Sequence, residues 1–125
     1  MASLDQKTIL VVDDESMVSE MLARFLKREG FQAAVAKDFE TTLAALTQAK
    51  IDAVLLDIGL GDEDGFDLLK KIRELHPSVP VVMLTGLGYD DKAMEEALEL
   101  GAAGYLSKTD DVSEVGVTIR RVLCA

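Results

Sequence analysis

Three aspartates, one threonine and one lysine stand where this sequence could do chemistry. Asp13 and Asp14 close the stretch "ILVVDDE", Asp57 closes "AVLLD", Thr85 closes "VVMLT" and Lys108 follows "GYLS". Each alone has a structural explanation: aspartate caps helices, threonine suits turns and lysine is a common surface charge. Together they need more, because carboxylates about 4 Å apart repel by around 4 kcal/mol at an effective dielectric near 20. A hard divalent cation with oxygen ligands, Mg²⁺ ahead of Ca²⁺, meets that need and is the usual companion of phosphoryl transfer. Lys108 supplies a second positive group. An aspartate held beside such a metal is a carboxylate nucleophile able to form an aspartyl phosphate. Thr85 can hydrogen-bond the transferred group and Lys108 can pair with its oxygens, while Gly59 and Gly86 keep the space open.

For these groups to meet, the runs that carry them must be parallel strands sharing one rim. The strand candidates are "TILVV" (8–12), "FQAAVA" (31–36), "AVLL" (53–56), "VVML" (81–84) and "GYL" (104–106), each too short for a buried helix and each followed by an amphipathic segment. Val18, Met21, Leu22, Phe25 and Leu26 repeat at helical spacing before Gly30, which reads as a C-terminal cap. Phe39, Leu43 and Leu46 mark helix 2, and Phe66, Leu69, Ile72 and Leu75 mark helix 3, stopped by Pro77. Met94, Ala97 and Leu98 mark helix 4 before Gly101. Val112, Val115, Ile119, Val122 and Leu123 share one face of helix 5, behind an Asp111 to Glu114 spacing that imitates a capping box. Gly116 costs that helix roughly 1 kcal/mol against alanine. Strands 1 and 3 are apolar on both faces, so the pattern predicts an α/β fold with a parallel sheet between two helix layers. In such sheets ligands bind beyond the carboxyl ends of the strands, where strand order reverses.

With 125 residues, 49% of them hydrophobic, the chain is one domain's worth and can bury a core. Lys and Arg number 13 against 23 Asp and Glu, a formal charge of −10, which argues against direct nucleic-acid binding and against anionic membrane surfaces. The single cysteine, Cys124, rules out an internal disulfide framework and suits a reducing compartment. No apolar stretch approaches a membrane span, and "MASLDQK" lacks the apolar region of a signal peptide. The expectation is a cytoplasmic protein in which about residues 1–7 form a flexible lead-in.

The stretches "ILVVDDE", "LLDIGLGDEDG", "MLTG" and "GAAGYLSK", in this order and covering essentially the whole chain, resemble the receiver domains of two-component response regulators. The resemblance implies a flavodoxin-like (βα)₅ fold of strand order 2-1-3-4-5, a single receiver domain over 1–125 without an output domain in this chain, and a switch that catalyses only its own phosphorylation and dephosphorylation. It implies Asp57 as phosphoacceptor, with Asp14 and Asp57 as direct ligands of Mg²⁺, for which Mn²⁺ is a substitute. Asp13 would bind the metal through water and Gly59 would offer its backbone carbonyl. Thr85 and Lys108 take the switch and phosphoryl-binding roles, the "TGLG" loop (85–88) moves with Thr85, and Tyr105 resembles the aromatic that changes rotamer on activation. The implied phosphodonor is a sensor histidine kinase, a phosphotransfer protein or a small acyl phosphate. The implied recipient is a downstream target or fused output domain, reached through the helix 4, strand 5 and helix 5 face, with homodimerisation on phosphorylation. "GAAGYLSK" is also similar to receivers joined to helix-turn-helix outputs.

Two positions depart from the family pattern. Gly61 stands where proline is common, so a more flexible loop is expected after Asp57. Thr109 follows the lysine where proline with a cis bond is frequent. A cis bond before threonine would cost roughly 3 kcal/mol, so the loop is expected to run trans with Lys108 less firmly placed.

Rival chemistries fail on the same residues. "ILVVDDE" resembles a Walker B strand, but no G-x-x-x-x-G-K-[ST] loop accompanies it. A haloacid-dehalogenase-like phosphatase needs a second aspartate where Gly59 stands. Read as a calcium loop with Gly65 sixth, "GLGDEDG" places Leu60 first and Lys71 twelfth, neither of which fits. Asp62, Glu63, Asp64 and Asp67 read as a solvated loop and helix start, and His76 as surface punctuation before Pro77. The alternative function is a phosphorylation-independent interaction module of the same fold; the presence of acidic pair, acceptor and lysine together favours the switch.

Overall fold

The computed structural model describes residues 6–86 and 90–124. Its elements are β1 (Thr8–Val12), α1 (Ser16–Arg28), β2 (Gln32–Ala36), α2 (Phe39–Gln48), β3 (Ala53–Asp57), β4 (Gly59–Leu60), β5 (Glu63–Asp64), α3 (Gly65–Leu75), β6 (Val81–Thr85), α4 (Asp91–Glu99), β7 (Gly104–Ser107) and α5 (Val112–Cys124). The main sheet is parallel in the order β2-β1-β3-β6-β7, and β4 and β5 form a separate antiparallel pair. Counting only the strands of the main sheet, this is the expected 2-1-3-4-5 order.

Alternation along the strands divides the interior between two faces. Leu10, Val12, Val54, Leu56, Val81 and Met83 pack with Leu46, Leu68, Leu69, Ile72 and Ala97 under α2, α3 and α4. Ile9, Val11, Leu55, Val82, Leu84 and Leu106 pack with Leu22, Leu26, Val115 and Ile119 under α1 and α5. Because β1, β3 and β6 are buried on both faces, their sequences read as continuous apolar runs. β2 is a sheet edge and leaves Val35 exposed.

Local chemistry sets the ends of the elements. Gly30 and Gly101 take φ of 98° and 95° just past α1 and α4, the left-handed conformation glycine adopts without strain. Asp38 caps α2 by accepting from the Thr41 N–H, with the Thr41 side chain completing a capping box. Asp111 accepts from the Ser113 N–H at the start of α5. Gly116 is buried, and a Cβ there would meet the Arg120 guanidinium at 3.2 Å and Glu29 at 3.3 Å, so its missing side chain lets α5 lie close on α1. Of the expected lead-in, residues 1–5 lie outside the described residues. Gln6 donates to the Gly30 carbonyl and Lys7 accepts from the Gln32 N–H, which ties both to the sheet edge.

Candidate functional site

The crevice where strand order reverses lies between the carboxyl ends of β1 and β3. Past β1, the Asp13 N–H still bonds to the Ala36 carbonyl of β2, which turns the chain toward α1 with the Asp13 side chain buried. Its Oδ1 accepts from the Glu15 N–H at 2.9 Å, holding the "DDE" turn, and its Oδ2 faces the crevice. Asp14 stands exposed at the rim. Asp57, the last residue of β3, is 4% exposed. Its Oδ1 accepts from the Gly59 N–H at 3.3 Å. Oxygens of Asp13, Asp14 and Asp57 lie within 4.8 Å of one another. Lys108, just past β7, has its N–H on the Thr85 carbonyl at 2.7 Å. Its Nζ reaches across the crevice to Asp13 Oδ2 at 2.9 Å, Asp57 Oδ2 at 3.1 Å and Glu15 Oε1 at 3.3 Å.

Three carboxylates therefore meet one ammonium, with Asp14 beside two of them. Burial, and then the charge of Asp13, push the Asp57 carboxyl up to about 6, against the pull of Lys108 and the Gly59 N–H. For Lys108, burial would lower the pKa, but the Asp13 and Asp57 carboxylates outweigh it and hold the ammonium above its ordinary value. Asp13 Oδ2 meets Lys108 at ion-pair distance but off hydrogen-bond alignment, so a buried oxygen remains open to a further cation. Oxygen ligands, excess negative charge and that buried oxygen together fit a hard divalent ion. A cavity of about 300 Å³, lined by Asp13, Asp14, Ser16, Lys37 and Thr41 among others, opens beside the acids.

The structure thus brings together Asp13, Asp14, Asp57 and Lys108. Thr85 ends β6, buried and joined through its carbonyl to Lys108. Gly59 opens β4 next to Asp57. Tyr105 is half-buried against the α2, α3 and α4 face of the core, in register with Met83. Of the "TGLG" loop, Leu87 and Gly88 lie outside the described residues.

Two expectations are revised. The segment after Asp57 is not a loose loop: Gly61, at φ 64°, turns a β4–β5 hairpin whose Leu60 is buried. Glu63 is not merely solvated, since its carboxylate accepts from the Phe39 N–H at 3.0 Å, at the positive end of α2. A Cβ on Gly59 would meet nothing within 4 Å, and one on Gly86 only the Lys108 stem at 3.7 Å, so the absent side chains leave that space open. The demanding glycine is Gly65, where a Cβ would strike the Asp57 carbonyl and approach the Ile58 carbonyl oxygen at 2.6 Å. Its signal in the sequence was a glycine opening a helix directly after an acidic loop. As expected, the Lys108–Thr109 bond is not cis. Ser107 and Asp110 support the loop that carries Lys108 and were not singled out for it, while Glu15, read with Asp13 and Asp14 at the end of the first strand, also meets the Lys108 ammonium.

The chain is similar to known proteins in sequence and in fold. Residues 9–120 match the family described as response regulator receiver domain. The transcriptional regulatory protein CpxR of Klebsiella pneumoniae is 40% identical over 116 residues, covering 92% of this chain and 48% of that protein. The chain spans about half the length of the curated relatives it matches. A CheY-like receiver domain protein of Methanospirillum hungatei superposes with a TM-score of 0.87 at 28% identity, covering 95% of this chain and 94% of that one. A Burkholderia pseudomallei response regulator, solved with a phosphorylated aspartic acid, a calcium ion and citrate, has a TM-score of 0.82 at 28% identity, covering 95% of this chain and 69% of that one. Fold, acidic pocket and family match agree: this chain belongs to the response regulator receiver domains, the self-phosphorylating switches of two-component signalling.

Proposed function

We propose that this domain takes a phosphoryl group onto Asp57 from a histidine kinase, a phosphotransfer protein or a small acyl phosphate, and passes the change to a target or fused output domain. The observation that carries this reading is the Lys108 ammonium lying within 3.1 Å of Asp57 Oδ2 at the mouth of the sheet, among the carboxylates of Asp13 and Asp14. Asp57 Oδ forms the new O–P bond as the donor's N–P or O–P bond breaks, and the leaving group departs with the electron pair. Lys108 pairs with the transferred oxygens as its hold on Asp57 is exchanged for them. Asp14, Asp57 and the Gly59 carbonyl would hold Mg²⁺, or Mn²⁺ in its place, with Asp13 joined through water. When bound, the ion draws charge from the phosphoryl oxygens and relieves repulsion among the acids.

Thr85 then turns toward the phosphoryl group and Tyr105 turns inward, which alters the α4, β7 and α5 face offered to a target, an output domain or a second copy. Relatives such as CpxR, named as a transcriptional regulatory protein, support an output that regulates transcription. The charge of −10 leaves any nucleic-acid contact to such a partner domain. No described helix is long and apolar enough to cross a membrane, and a cytoplasmic location follows from the proposed kinase partner.

The test is intact-mass spectrometry after incubation with Mg²⁺ and a small acyl phosphate. The wild-type domain is expected to gain one phosphoryl group and Asp57→Asn none. A variant that still gains it at the wild-type rate would overturn the assignment, and a wild type that gains none would place the domain among phosphorylation-independent modules.

A further inference from the structure

Resting on that reading, we propose that Ser107, Thr109 and Asp110 form a hydrogen-bonded clasp that positions Lys108 for phosphoryl transfer. The residues on either side of Lys108 bond to one another across it. Ser107, the last residue of β7, is 2% exposed and is gripped by the two residues that follow Lys108. Its N–H donates to Asp110 Oδ2 at 3.1 Å, and its carbonyl accepts from the Asp110 N–H at 3.0 Å. Its Oγ accepts from the Thr109 N–H at 3.1 Å and lies 2.7 Å from Thr109 Oγ1. Lys108 is the residue enclosed by these bonds, and its own N–H is taken by the Thr85 carbonyl at 2.7 Å. Its backbone is thus held from both sides.

The residue types fit the task. Aspartate and serine bond readily to backbone groups a few residues away, and threonine, branched at Cβ, holds its hydroxyl in few rotamers. Proline at 109 would lack the N–H that donates to Ser107 Oγ. The consequence is felt at Nζ. A lysine stem has four rotatable bonds, and only a fixed starting point keeps its ammonium at 2.9 Å from Asp13 and 3.1 Å from Asp57. A misplacement of about 1 Å at a reacting centre can cost on the order of 10²-fold in rate. Ser107, Thr109 and Asp110 act through Lys108 and are positioning residues.

The test compares Asp110→Ala, Asp110→Asn and Thr109→Val with wild type. Two readouts are used: the rate of phosphorylation by a small acyl phosphate at saturating Mg²⁺, and the ¹⁵Nζ signal of Lys108 in the metal-free protein, which persists at neutral pH only while the ammonium is held in its ion pairs. Asp110→Ala is expected to slow phosphorylation roughly tenfold or more and to abolish the Nζ signal, with Mg²⁺ affinity by titration calorimetry unchanged. Asp110→Asn keeps the accepting oxygen and is expected to restore most of both. Thr109→Val keeps the N–H and the shape, and is expected to lose about threefold in rate; it carries the test if Asp110→Ala does not fold. Wild-type rate and an intact Nζ signal in the folded variants would overturn the clasp. So would an asparagine variant as impaired as alanine, because the charge of Asp110 would then matter and not its bond to Ser107. Should wild type itself take up no phosphate, the proposed function fails while the Nζ comparison still judges the clasp.

Discussion

Asp57 has to be buried to meet Lys108 and charged to attack phosphorus, and the two demands oppose each other. Its carboxyl rises from 3.8 to about 6 in the folded, metal-free domain. Between those values the folded state keeps a proton that the unfolded chain has released, so stability falls as pH rises from about 4 to about 6 and stays lower above that. Lys108, whose folded pKa is raised, contributes stability that is fully present across this window. In chelator, urea denaturation at pH 4.5 and 7.5 should therefore show Asp57→Asn gaining on wild type as pH rises, and Mg²⁺ should narrow the gap at pH 7.5. A gap that does not change with pH would contradict the sign. The meeting of Asp13, Asp14, Asp57 and Lys108 was legible in the sequence because strand ends can be found from short apolar runs. The bond of Glu15 to Lys108 and the parts of Ser107 and Asp110 were not, because such contacts depend on the direction in which a side chain leaves a turn.

The helices were visible as elements for a physical reason: α1, α3 and α5 bury one stripe each, and a stripe writes a period into the sequence. The β4–β5 hairpin writes none, since two residues per strand are too few for alternation to register. What orders it is tertiary, namely Leu60 in the core and Glu63 on the N-terminus of α2. Gly61 read alone therefore suggested looseness, and the structure shows a turn. The same hairpin delivers the chain into α3, where the Gly65 N–H bonds to the Ile58 carbonyl at 2.8 Å. Gly65→Ala should cost about 3 kcal/mol, because the new methyl group meets backbone oxygens of Asp57 and Ile58 that cannot give way. Chemical denaturation measures this. Gly59→Ala, with open space around the added methyl, should stay within about 0.5 kcal/mol of wild type.

At the scale of the whole molecule, the layered fold was readable because both faces of β1 and β3 are apolar, which only a sheet covered on both sides can satisfy. The strand order itself came from the resemblance, since apolarity does not say which strand lies beside which. The sheet links the acceptor to a distant face: Asp57 pairs in register with Leu84, Thr85 with Ser107, and Met83 with Tyr105. A dianion on Asp57 that draws Thr85 inward should move Tyr105 and the faces of α4 and α5 with it. Amide NMR of the domain with and without beryllofluoride, a stand-in for the phosphoryl group, should show shifts spreading from residues 57, 85 and 108 into α5. Changes confined to the pocket, with Tyr105 still, would mean that the signal leaves through another face.

The close seating of α5 on α1 also has a bearing on how the chain acquires its structure. Arg120 donates to both the carbonyl and the carboxylate of Glu29 and stacks over Phe31, so one half of the interior joins segments from opposite ends of the sequence. During synthesis α1 emerges early, yet the face it shares with Ile9, Val11 and Leu55 is incomplete until Val115 and Ile119 arrive. Contacts of such long sequence separation form slowly, after the loops between them have closed. The α1 side of the sheet is thus the side that waits, and a nascent chain lacking its last helix exposes an apolar surface there for as long as translation leaves it unfinished.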